Sequence, residues 1–208
     1  MKTNEFKAGV LVAAMATVLP GAGQSVETTD DLVERIKSQD DKIRGPAWQS
    51  AEVAGAPAVK PLAEAMMDPD FEVARAAKRG LYRIVRHAGR PGAKGEAKAV
   101  TRELVALLQS APAPVRREAL WLLSEIAGDE AIAPMAVLLA DAEVREAARG
   151  SLMRFDGRKA TAALKSAFAG ASEEFKPALA ESLRERGVKV NGYPSQKRVP
   201  CRKTTVGE

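Results

Sequence analysis

The pattern Ala-x-Val-Arg-x-x-Ala-x-x-x-Leu occurs twice, from Ala113 to Leu123 and from Ala142 to Leu152, 29 residues apart. Recurrence at this spacing marks a supersecondary unit that needs neighbouring copies to bury its apolar face. Aligning the first apolar residue of each candidate helix gives five anchors, Ile43, Val73, Val115, Val144 and Phe175, spaced 30, 42, 29 and 31 residues apart. Four residues on stand Ala47, Ala77, Ala119, Ala148 and Leu179; eight on stand Ala51, Leu81, Leu123, Leu152 and Leu183. Positions i, i+4 and i+8 share one helical face, so each segment carries the same apolar stripe. A small residue in the middle of the stripe lets a neighbouring helix approach closely. The long spacing coincides with a glycine-rich insertion, Gly89 to Gly95.

Punctuation separates each first helix from a second. Asp70, Asp141 and Ser172 stand three residues before anchors, where they can cap N-termini, and Pro114 suits a first helical turn. Gly55, Gly89, Gly128, Gly157 and Gly187 fall where the first helices should stop. Second helices are expected over 57–67, 96–109, 130–140 and 158–169, with a short leading helix over 30–38 started by Thr29 or Asp30. No segment between the termini reads as a strand. The apolar content of 46% is supplied largely by alanine, with only 4% aromatics, which suits packed helices better than a β-sandwich.

The motif Asp-x-x-Val-Arg-x-x-Ala-x-x-x-Leu, followed by a glycine and a second helix headed Ala-x-x-x-Leu, resembles the HEAT repeat. Asp141 to Ala148 matches it best, and the likeness covers about residues 40–187. The period near 30 is shorter than the usual HEAT unit and is similar to the short subtype of phycobilisome lyases and many bacterial proteins. Ankyrin and tetratricopeptide signatures are absent. The expected fold is all-α, a right-handed α-solenoid of four helix pairs with a partial fifth. In that family the basic residue after each anchor ties adjacent repeats by pairing with a carboxylate; here those positions hold Arg44, Ala74, Arg116, Arg145 and Lys176, with Asp41 and Asp141 available. Second helices line the concave side in the family, which makes Lys98, Arg102 and Lys165 candidate contact residues.

The ends differ from the body. Lys2 and Lys7 precede an apolar run, Ala8 to Leu19, and Pro20 to Gly23 supply a helix breaker and small residues, as in an export signal. Twelve apolar residues are too few to span a bilayer. Residues 1–23 are thus expected as a signal peptide, 24–187 as the repeat domain and 188–208 as a basic tail, with a periplasmic or secreted location. Of the net charge of +5, residues 184–208 carry seven Lys/Arg against two Glu, leaving the body close to neutral. No whole-domain nucleic-acid footprint follows. Pro194 and Pro200 break any long helix in the tail; Val188, Val190 and Tyr193 are expected to fold back over the last repeat. Beyond them, Lys197, Arg198, Arg202 and Lys203 are free to touch anionic surfaces.

Chemistry is sparse. His87 is the one histidine, so a His-based zinc site or a Ser-His-Asp triad would have to be built around a single residue with no obvious partners, and Cys201, the one cysteine, cannot make an internal disulfide; no cofactor is expected. His87 reads as a helix C-terminal residue ahead of Gly89. The Gly89–Gly95 loop lacks the Gly-Lys-Ser/Thr ending and the preceding strand of a phosphate loop. Trp48 and Trp121 fall at the edge of the stripe. One feature is strongly charged: Arg79, Arg83 and Arg86 lie at i, i+4 and i+7, opposite the apolar stripe, and Arg90, Lys94 and Lys98 extend them with only Glu96 opposing. Such a ridge is either a solvated face or a holder of phosphate, anionic lipid or acidic protein. The expected function is a non-catalytic scaffold for an unidentified protein partner. Two alternatives come with the resemblance: a bilin lyase-like enzyme, against which stand the export signal and the lack of a cluster of polar aromatics and acids for a tetrapyrrole, and a nucleic-acid-binding protein of the HEAT-like glycosylase type, which needs a basic concave groove.

Overall fold

Thr28 opens the first helix with a capping box: its side chain accepts from the Asp31 amide while the Asp31 carboxylate accepts from the Thr28 amide. The computed structural model describes residues 28–194. Helix α1 (Thr29–Ile36) leads into α2 (Asp41–Gln49), which continues as a 3-10 turn, Ala51–Ala54. The partner of α2 is a 3-10 turn at Ala56–Ala58 followed by α3 (Val59–Ala65). The second pair is α4 (Phe71–Ala88) and α5 (Lys94–Ser110); the third is α6 (Ala113–Ile126) and α7 (Ile132–Val137), the latter flanked by 3-10 turns. α8 (Arg145–Leu152) pairs with α9 (Arg158–Gly170), and α10 (Lys176–Glu185) stands as the partial fifth. Among the described residues there is no strand.

First helices stack on first helices, α2 on α4, α4 on α6 and α6 on α8, while α3, α5, α7 and α9 form a second layer. The core runs between the layers. Of the fifteen stripe positions, fourteen are buried, among them Val73, Val115, Leu123, Leu152 and Phe175. The exception is Ile43, which is 45% exposed. α2 turns its Arg44 side toward the stack instead. The Arg44 guanidinium donates to the Ser38 carbonyl at 2.6 Å, meets Asp41, and is buried with Ala47 and Ala51, three and seven residues on. α1 packs against this end of the array, so the first repeat does not repeat the environment of those that follow.

Close packing sets one glycine, and backbone conformation another. Gly80 lies mid-helix, where it costs about 1 kcal/mol relative to alanine in an exposed helix. Here a Cβ would sit 3.3 Å from that of Ala51 and 3.4 Å from a Leu62 methyl, so the helices touch through its missing side chain. Gly187, at φ +73, closes α10 in a Schellman motif. The Val188 amide donates to the Leu183 carbonyl (2.9 Å) and the Gly187 amide to the Arg184 carbonyl (2.8 Å).

Caps follow the sequence in part. Asp70 accepts from the amides of Glu72 (2.8 Å) and Val73 (3.4 Å), and its carboxyl is held below the ordinary range, first by the Gln39 side chain and then by those amides. Asp141 accepts from the Glu143 amide at 2.9 Å. Ser172 does not cap through its side chain; its carbonyl accepts from Phe175, and its hydroxyl is turned to Arg145. Past Gly187, Val188 and Val190 pack on the core, and Tyr193 sets its ring edge-on to Phe168, 5.5 Å between centroids. The expected leader at 1–23 and the charges from Lys197 to Lys203 lie outside the described residues.

Candidate functional site

The outward side of α4 carries a run of cationic side chains. Arg75, Arg79, Arg83 and Arg86 run along it at four-, four- and three-residue steps, beside Lys78 and Tyr82, and Trp48 of α2 faces them across the groove. Together they line an open concavity of about 600 Å³. α2 and α4 pack closely here, which brings residues separated by some thirty positions in sequence onto one surface.

The cations of this surface are of two kinds. Arg75 meets Glu72, Lys78 meets Glu118 of α6, and Arg83 grips Glu52 with Nε at 3.1 Å and Nη2 at 2.5 Å. That fork holds the Glu52 carboxyl below its usual range. Arg79 and Arg86 have no carboxylate partner among the described residues. Arg79 lies over the Trp48 ring, 5.1 Å from its centroid, and Arg86 over Tyr82 at 5.5 Å. The Tyr82 hydroxyl donates to Glu118 Oε2 at 2.8 Å. Burial first, and then this hydrogen bond to a carboxylate, raise the Tyr82 pKa well above that of an ordinary phenol. The charge of Glu125, also on α6, adds to that rise.

The structure breaks the continuous ridge expected from sequence. Arg79, Arg83 and Arg86 do share one face, but Arg83 is neutralised by Glu52, a carboxylate that sequence proximity did not reveal. Arg90 sits in the α4–α5 connection, where Nη1 and Nη2 each reach Glu96 at 2.7 Å and Nη1 also donates to the His87 carbonyl. His87 itself occupies the last turn of α4. Lys94, Lys98 and Arg102 are exposed on α5, in the other layer. Lys165 is exposed on α9, at a separate concavity of about 900 Å³ that also takes Arg158, Asp156 and Glu185. Here Arg186 is tied inward, to Thr161 Oγ1 (2.8 Å) and the Gly157 carbonyl (2.9 Å). The eight candidate cations therefore do not form one site. Sequence reading missed Trp48, Arg75, Lys78 and Tyr82 as members; the signal for the last three was their three- and four-residue offsets within the same arginine run.

Ties between repeats appear where the basic positions after the anchors placed them. Arg116 meets Asp141 and, at 3.4 Å, Glu143; Arg145 reaches Glu174 at 3.0 Å and Ser172 at 3.4 Å. Arg44 and Lys176 pair within their own turns instead, with Asp41 and Glu173. Among the described residues no cluster of His, Cys, Asp and Glu is arranged to hold a metal ion, and no helix is long and apolar enough to cross a membrane.

Paired helices in two layers, repeating a buried stripe and, between some repeats, an arginine tie, form an all-α helical-repeat fold. No protein-family model matches the chain, and no curated protein does. Among solved structures it is similar to a designed armadillo repeat protein in complex with the peptide (KR)4, at 21% identity over 75% of this chain and 86% of that one, TM-score 0.37. It is also similar to an engineered protein at 22% identity over 76% of this chain and 78% of that one, TM-score 0.37.

Proposed function

We propose that this chain is a non-catalytic scaffold that binds another protein, and that the concavity beside α4 receives acidic side chains of that partner. The observation that carries this reading is the pair Arg79 and Arg86. Each guanidinium lies over an aromatic ring, exposed, and without a carboxylate of its own among the described residues. A cation held over a ring in this way keeps its N–H donors for a carboxylate. Neighbouring cations already paired, such as Arg83, keep the local charge from spreading into a general polyanion surface. We also infer export from the leader, and contact of the basic tail with anionic surfaces.

The test is capture of partners from the envelope fraction of the native host by crosslinking, with wild type beside an Arg79→Glu/Arg86→Glu double variant. A partner bound through this face is lost from the double variant and released by salt. A partner retained equally by both removes this face from the proposal.

A further inference from the structure

The two cations of the α4 surface that hold no carboxylate among the described residues, Arg79 and Arg86, stand seven residues apart on one helix. At about 100° and 1.5 Å per residue, seven residues make two turns less about 20°. The pair therefore shares a face and is separated by about 10.5 Å along the axis. Both are exposed, and both open onto the concavity that Trp48 completes from α2. The groups between them are already satisfied: Tyr82 donates to Glu118, and Arg83 is forked on Glu52. Five cations line this concavity and three of them meet a carboxylate, so the excess positive charge is left on one pair at one spacing.

We propose that this face docks an α-helix of the partner, laid lengthwise along α4 in the groove beside α2, with acidic residues at i and i+7 and uncharged residues at i+3 and i+4. It rests on the protein-binding reading above and names the form of the segment that supplies the carboxylates. A helix matches because it has the rise and repeat of α4 itself. Its residues i and i+7 share a face about 10.5 Å apart, whichever way it runs. Positions i+3 and i+4 then meet Tyr82 and the Arg83–Glu52 pair. A further carboxylate there would face Glu52 and Glu118 with no cation left to take it.

Extended chains fit the pair less well. In a β-strand the side chains of one face recur at every second residue, about 6.6 and then about 13 Å along, and the residue at the matching distance points to the opposite face. A polyproline II segment does return to one face after three residues and about 9.3 Å. It is recognised, however, on aromatic faces free to receive it, and here guanidinium groups lie over Trp48 and Tyr82. Single-stranded nucleic acid needs such rings for its bases and brings a charge at every step to a surface with two cations unpaired.

The experiment is an NMR titration of the full chain, read at the arginine Nε–H resonances, with alanine- and glutamine-rich peptides of about 20 residues carrying two glutamates. The first is helical with its glutamates seven apart. The second is helical with them five apart, about 140° round the helix from each other, and the third keeps the first spacing but is broken by central prolines. Circular dichroism checks their helicity. The first peptide should move Arg79 and Arg86 with one dissociation constant and bind about tenfold more tightly than the other two. Arg79→Gln and Arg86→Gln should each weaken it about 5- to 10-fold, the loss of one charge-assisted contact. Arg154→Gln, which removes an exposed arginine from over Trp121, should leave it unchanged; an equal loss there reduces the effect to overall charge and overturns the proposal. Melting curves check that the variants remain folded. Equal affinity for the first and second peptides overturns the seven-residue register, and for the first and third it overturns the helix; movement of Arg79 and Arg86 in either case leaves the acidic-partner reading in place. An oligo(dT) strand that binds more tightly than the first peptide overturns the class of ligand. No movement of Arg79 or Arg86 with any peptide up to about 5 mM overturns this proposal and removes acidic side chains from the reading above.

Discussion

Arg116 on α6 meets the carboxylate of Asp141, the residue that accepts from the Glu143 amide at the entrance of α8. One carboxylate thus turns the chain into a helix and fastens that helix to the one before it. The same register recurs where Arg145 meets Ser172 and Glu174 ahead of α10. The repeat with Ala74 in place of the arginine has Pro112, not a carboxylate, at the corresponding cap of α6.

Arg116→Met should destabilise the stack by about 1–3 kcal/mol at neutral pH, since it removes hydrogen bonds to a charged group. Arg116 first, and the Glu143 amide second, hold the Asp141 pKa below its ordinary value. A depressed carboxyl contributes stability above its unfolded pKa, near 3.9, and loses it as pH falls through the folded value. Urea melts at pH 7 and pH 3 should therefore show the gap between wild type and variant closing in acid. A gap independent of pH refutes the pairing.

Leu123→Ala and Leu152→Ala should each cost about 2–5 kcal/mol, because both side chains are fully buried at the same stripe position. Arg83→Ala, whose partner Glu52 is also at the surface layer, should move the urea midpoint far less. Equal shifts in all three would show the helical register to be wrong.

The cap on the last repeat gives a truncation test. Val188 and Val190 cover the core, and Tyr193 packs on Phe168 and donates to Glu173 at 3.0 Å. Deletion after Pro194 should leave the melting temperature nearly unchanged, whereas deletion after Gly187 should lower it. The edge-to-face ring pair alone accounts for about 0.5–1.5 kcal/mol, so Tyr193→Ala should melt a few degrees below wild type. Silence in both deletions would remove the cap.

Tyr82 is one of two tyrosines. Burial and Glu118 keep its phenol protonated beyond the ordinary range. Because the folded state binds this proton more tightly than the unfolded chain, the associated stability is present below about pH 10 and is lost as pH rises above it. In an alkaline titration followed by phenolate absorbance, Tyr82→Phe should delete the late part of the signal, and Glu118→Gln should bring it earlier. A late signal that survives Tyr82→Phe assigns it elsewhere.

Export is checked at the N-terminus. Protein recovered from its native host should begin near Gly23 or Gln24, after removal of the leader that contains Lys2, Lys7 and the run Ala8 to Leu19. An intact Met1 on soluble cytoplasmic material would refute it.

Sequence alone determined the architecture, because the stripe is a local property. The 3.6-residue period puts Val73, Ala77 and Leu81, or Val144, Ala148 and Leu152, on one face whatever lies around them, and the recurrence of that face demands a stack. The Gly187 stop was legible for the same reason, as was the apolar content of Val188, Val190 and Tyr193. Tertiary structure decided what the local pattern does not contain. Ile43 left the core because the first repeat packs against α1, and Arg44 took the inward side. The arginine run on α4 was divided into paired and unpaired members by Glu52 and Glu118, which come from α2's end and from α6. Trp48 and Trp121 became platforms for Arg79 and Arg154 only when neighbouring first helices stacked. Charge at a surface is set by which groups meet across grooves, and that is fixed by helix packing rather than by order along the chain.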